Sequence, residues 1–194
     1  MQTITKVYDT YSKALSTIQD LESACIPTSA ISVLANQDIS VRYSIENEPD
    51  TAAAPGAGIG AVVGGAAGLL TGLGIMAIPG LGPVVAVGWL ATTALGAVAG
   101  GATGGIVGSL ITLGVPEDHA HVYSEAVRRG GTLLAVQSED RNIEKVDAIL
   151  GSSEPIDPVQ QGVIYRNEGW QKFDHHAGPY ETISVAVERE RRFI

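Results

Sequence analysis

The sequence predicts an α+β fold: a small split ferredoxin-like β-α-β…α-β-α unit with a long inserted antiparallel glycine-zipper helical hairpin. Three observations lead there. Between Asp50 and Glu117 the chain runs 66 residues without a charged side chain. Inside that block glycine recurs at every fourth position, first at Gly56, Gly60, Gly64, Gly68 and Gly72, then at Gly96, Gly100, Gly104 and Gly108. The flanks hold nearly all the charge and carry short β-patterned and helical segments in turn. A four-residue step places a bare strip along one side of a helix, where another helix backbone can approach closely. Each interior glycine costs a helix roughly 1 kcal/mol relative to alanine. Nine of them in register therefore imply close helix–helix packing that offsets the loss, and these nine are the candidate packing site.

Taken in order, residues 3–8 alternate as a strand, and 11–24 form an amphipathic helix through Tyr11, Ala14, Leu15, Ile18 and Leu21. Residues 29–34 give a second strand, and 36–50 a polar linker, with 39–43 as an alternative short strand. The first hairpin arm is expected over 55–78, about 36 Å long at 1.5 Å per residue. Pro79-Gly80-Leu81-Gly82-Pro83 breaks it, and the second arm runs over 84–113. Gly114 ends that arm, and Pro116-Glu117-Asp118 opens a helix reaching about Arg129, where Gly130-Gly131 stops it. Residues 132–136 make an apolar strand, and 141–151 a helix through Ile143, Val146, Ile149 and Leu150. The expected domains are thus 1–50 plus 114–151, the hairpin 51–113, and an extended tail 152–194. In the tail, Ile164, Tyr165, Trp170, Phe173 and Tyr180 are spaced to anchor along a neighbouring subunit, with plain disorder as the alternative. Residues 182–187 alternate as an edge strand would.

A net charge of −9 argues against nucleic acid as a partner and against simple attraction to anionic lipid. Membrane lipid is nonetheless an expected partner, because both arms are uncharged and long enough to cross a hydrocarbon core of about 30 Å. Trp89 suits an interface, and Lys6, Lys13, Arg42, Arg128 and Arg129 all lie in the flanks, which places the flanks in the cytoplasm beneath an inner membrane. The glycine and alanine content of the first arm points the other way, to a hairpin buried between subunits of a soluble particle. The amino terminus lacks a secretion signal. Cys25 is the only cysteine, so no internal disulfide forms, and it is expected as a small buried residue.

Catalytic signals are weak. His119 and His121 stand two apart and would leave a helix on different sides, so with Glu117 and Asp118 they read as a solvated helix start. Asp174-His175-His176 lacks further ligands. Gly56-Ala57-Gly58-Ile59-Gly60 does not have the nucleotide-loop spacing. No enzyme activity, metal or cofactor is expected.

The strand ending Ile31-Ser32-Val33-Leu34 and the glycine block are followed by Gly114-Val115-Pro116-Glu117-Asp118, His121, Tyr123 and the run from Ala126-Val127-Arg128-Arg129 to Val136. Together with Trp170, Phe173-Asp174, Ala177, Pro179-Tyr180 and the closing Glu188-Arg189-Glu190-Arg191-Arg192, this pattern resembles bacterial general stress proteins, heat-induced and low-temperature-induced. The resemblance covers about residues 3–151 and the tail. It implies a stress-associated, often membrane-annotated protein without an assigned reaction, and it carries no catalytic residues. His119 and His121 depart from relatives that hold an acidic residue in that helix. The leading expectation is a homo-oligomeric structural protein in or on the cytoplasmic membrane. A soluble self-assembling particle is the second. A channel ranks last, since the uncharged arms offer no filter and little polar lining, Thr92, Thr93, Thr103 and Ser109 among it.

Overall fold

The computed structural model describes residues 1–36, 74–90, 105–178 and 180 of the 194-residue chain. Strand β1 (Gln2–Tyr8) leads through helix α1 (Tyr11–Ser23) and a short 3-10 turn into β2 (Ile31–Asn36). A hairpin of β3 (Gly74–Ile78) and β4 (Gly82–Val87) follows, then α2 (Gly105–Thr112) and α3 (Glu117–Arg128). Strand β5 (Thr132–Ser138), α4 (Ile143–Ser152) and α5 (Pro158–Asn167) complete the described elements. The fold is mixed α and β, built on one antiparallel sheet in the order β1-β5-β2-β4-β3.

The local reasons are those of the flanking sequence. Thr10 caps α1, its hydroxyl accepting from the Lys13 N–H at 3.4 Å. Glu117 and Asp118 sit in the first turn of α3 and Arg128 in its last, each suited to the helix dipole. Asp157 caps α5 by accepting from Val159 and Gln160, with Pro158 opening the helix. Beta-branched residues fill the strands, and alternate side chains go to opposite faces.

Both β1 and β2 pair antiparallel with β5, which lies between them, so β1 and β2 run parallel to each other with α1 connecting them. Likewise β4 and β5 run parallel on either side of β2. On one face Tyr8, Val33, Val85, Leu134 and Val136 pack with Ile18 and Leu21 of α1 and Val146 and Leu150 of α4. The other face joins Val7, Leu34, Ala86, Leu133 and Ala135 to Ile106 and Leu110 of α2, Tyr123 and Val127 of α3, and Phe173. Strands β1, β2, β4 and β5 thus contribute to a core on each side of the sheet.

Three expectations change. Residues 74–78 and 84–87, placed by sequence at the ends of two helical arms, are strands of the sheet. The breaker at 79–83 does turn the chain, but between strands: Ile78 pairs with Gly82, and Leu81 is fully buried. The boundary drawn at 51–113 consequently cuts through the sheet, since β4 pairs with β2 from Val33↔Val87 to Asn36↔Val84. Nor does 79–83 form the far loop of a spanning hairpin, because Gly80 lies against Phe173 and Asp174 of the same body. Among the described residues, no helix is long and apolar enough to cross a membrane. Finally, the tail is not extended throughout: α5 is helical and packs on α3, and Tyr165 and Phe173 are buried within their own chain. The expected arm residues 55–73 and 91–104, the short strand at 39–43 and the alternating stretch 182–187 lie outside the described residues.

Candidate functional site

Of the nine glycines expected to mediate helix packing, only Gly108 is described. It lies half-buried in α2, where the Thr112 hydroxyl donates to its carbonyl at 2.9 Å, and α2 packs against α3. The other eight, Gly56, Gly60, Gly64, Gly68, Gly72, Gly96, Gly100 and Gly104, lie outside the described residues.

The densest polar constellation sits at the end of α3. Glu125 is 1% exposed, yet carries a full complement of donors. Arg128 binds it in fork geometry, with Nε to Oε2 at 2.9 Å and Nη2 to Oε1 at 2.7 Å. Arg129 Nε adds a third bond to Oε1 at 2.7 Å, and its Nη1 bonds Glu168 just beyond α5. The Arg129 guanidinium also lies over the Tyr165 ring, 4.1 Å from its centroid. Burial works against the Arg129 charge, but the hydrogen bonds to Glu125 and Glu168 outweigh it and raise its pKa. Tyr180 lies under both guanidiniums, 5.2 Å from each, and Gly178 accepts from Arg128 at 3.4 Å. Two segments of chain, the end of α5 and the stretch holding Gly178 and Tyr180, are thereby tied to one helix turn.

Beside this cluster opens a cleft of about 410 Å³, walled by Asp9, Lys13, Arg129, Glu154, Ile156 and Tyr165. Its two cations are already paired. Lys13 lies 3.2 Å from Asp9 and 3.6 Å from Glu154, and Arg129 is held as described. Those pairs leave the cleft with balanced, committed charge and, among its described lining, no nucleophile set against a base. Such an arrangement joins elements together.

The histidines and the cysteine also find places. His121 of α3 has its Nε2 at 3.8 Å from Glu117, while its Nδ1 is buried without a hydrogen-bond partner among the described residues. His175 stands against Gly105 and edge-on to Phe173, with centroids 5.2 Å apart. No group of three or more metal-ligating side chains forms among the described residues. Cys25, expected to be buried, is exposed with a φ of +63° just after α1. The loop there reverses the chain, with Ile26 N–H bonding Leu21 O, which turns the Cys25 side chain outward.

Sequence reasoning missed the Glu125 cluster, although Glu at i with Arg at i+3 and i+4 was visible as a helical ion-pair pattern. What it did not reveal was burial, which depends on α5 and the tail covering that turn.

Comparison of the chain with protein-family models, with curated proteins and with solved structures finds no match in any of the three.

Proposed function

We propose that the chain is a non-enzymatic, stress-associated structural protein that homo-oligomerises through its glycine-spaced segments, carried on a split β-α-β platform. The observation that supports it is the spacing itself: nine glycines in two four-residue series within 66 uncharged residues. The sheet adds an argument. The first series falls wholly between β2 and β3, and three of the second series fall between β4 and α2. Each uncharged segment is thus rooted at both ends in the same folded body. On a chain of net charge −9, only such a stretch can meet its own copy without like-charge repulsion.

Scaffolding, not turnover, is the mechanism. The cleft holds its Lys and Arg in ion pairs that fasten elements together, and the resemblance to general stress proteins supports the stress association. Lipid and further copies of the chain are the two covers for the uncharged segments. The position of 79–83 inside the sheet favours copies, because it removes the turn a spanning hairpin would need.

The test is sedimentation of the full chain in buffer without detergent, together with flotation on vesicles. A soluble particle of several chains is expected. A monomer, or a protein that floats with vesicles and stays there through alkaline extraction, would overturn the assembly reading.

A further inference from the structure

Residues 170–178 form a strap across the α2/α3 face. Phe173 inserts into the core at 3% exposure. A Cβ on Gly80 would lie 2.6 Å from the Asp174 carbonyl oxygen and 2.8 Å from Phe173 Cζ, and one on Gly105 would lie 3.0 Å from His175 Nδ1. The strap thus bridges the β3–β4 turn and the start of α2, resting on two positions that only a missing side chain leaves open. His121 of α3, whose side chain is 14% exposed, lies close enough to the strap to feel the charges of Lys172 and His175.

A neutral imidazole suits that place and a charged one does not. Imidazolium has two N–H donors. Glu117 faces Nε2 at 3.8 Å, but Nδ1 is buried with no acceptor among the described residues. The charged groups around His121 are few. From α3 come Glu117 and Asp118, and from the strap come Lys172 and His175, while the described turn 79–82 and α2 contribute no charged side chain. Burial, then the Lys172 charge, holds the His121 pKa below its ordinary value near 6.5; His175 acts in the same sense and the two carboxylates oppose it.

We propose that the strap is a proton-gated latch, seated while His121 is neutral and lifted from Gly80 and Gly105 when His121 takes up a proton against Lys172 and His175. The sign follows from linkage. With the strap seated the pKa is depressed, so above about pH 6.5 the proton has no influence on the latch. As pH falls below that value the open state binds a proton that the closed state refuses. Closure weakens down to the depressed pKa and then levels off.

Hydrogen exchange of the full chain at about pH 7.5 and about pH 5.5, corrected for the intrinsic rate, tests this. The reporters are the His176 amide, bonded to Asp174 Oδ1 at 2.8 Å, and the Ala177 amide, bonded to the Asp174 carbonyl at 3.3 Å. Their protection should fall several-fold, up to about ten-fold for each unit by which the pKa is depressed, while β5 amides hold. His121→Gln should abolish that fall. Lys172→Gln, at an exposed position, should reduce it without disturbing the core. A fall that persists in His121→Gln, an equal loss in β5, or no fall at all would each overturn the latch.

Discussion

Glu125 holds the two arginines through which Glu168, Gly178 and Tyr180 are joined to α3. It is a buried carboxylate under two guanidiniums, and removing its charge leaves Arg128 without its carboxylate and Arg129 with Glu168 alone. Breaking a buried pair on one side costs about 3–5 kcal/mol, more than the intact pair contributes against a well-packed apolar replacement. Glu125→Gln should therefore lower stability by about 3 kcal/mol, read as a drop in the urea midpoint with an unchanged slope. A second residue-scale expectation concerns tyrosine. Burial pushes the Tyr8 and Tyr123 hydroxyls up to about 12. A raised pKa favours folding fully below the unfolded value near 10 and loses that contribution as pH climbs from there toward 12. Absorbance titration should thus show two phenols ionising late, at about the pH where the fold is lost. All six phenols ionising near pH 10 in a still-folded protein would contradict the burial of Tyr8 and Tyr123. At this scale the sequence told little. Glu125, Arg128 and Arg129 read as an ordinary helical charge pattern, and the tail that buries them is more than 30 residues distant along the chain.

Elements were far more legible. Alternation over 3–8, the 3.6-residue stripe of 11–24, the acidic helix start at Glu117 and the Gly130-Gly131 stop place β1, α1, α3 and β5 within a few residues of where they lie. The failure at 74–87 has a definite cause. Ile75, Met76, Ile78, Val84, Val85 and Val87 form two short apolar runs, and a short apolar run has no period to separate a buried strand from a helix. Absence of charge and the glycine spacing on either side favoured helix. The β-branched content and the Pro-Gly-Leu-Gly-Pro turn were the hairpin signals, and a strand buried on both faces explains the missing charge equally well. The hairpin's attachment can be tested at Gly88, where φ is +88° and a Cβ would lie 2.5 Å from Ser32 Oγ and 2.6 Å from the Ile31 carbonyl. Gly88→Ala should cost about 1–3 kcal/mol and lower the melting temperature by several degrees. An unchanged melting temperature would mean that β4 does not dock on β2 as described.

At the scale of the whole molecule, two helical layers and the sheet between them account for the charged flanks and for the described part of the uncharged block. Only Gly108 of the nine falls within the described residues, and the spacing of all nine along the sequence is the reason for proposing assembly. The sequence made that periodicity plain, but it could not say how much of the block the sheet would claim. The most direct measurement is the sedimentation mass of the full chain beside Gly64→Leu/Gly104→Leu, with circular dichroism to confirm that the body remains folded. If bare helix edges join copies, the unsubstituted chain sediments as a multimer, and the two leucines reduce it to a single folded chain. An identical mass for both proteins would contradict the account.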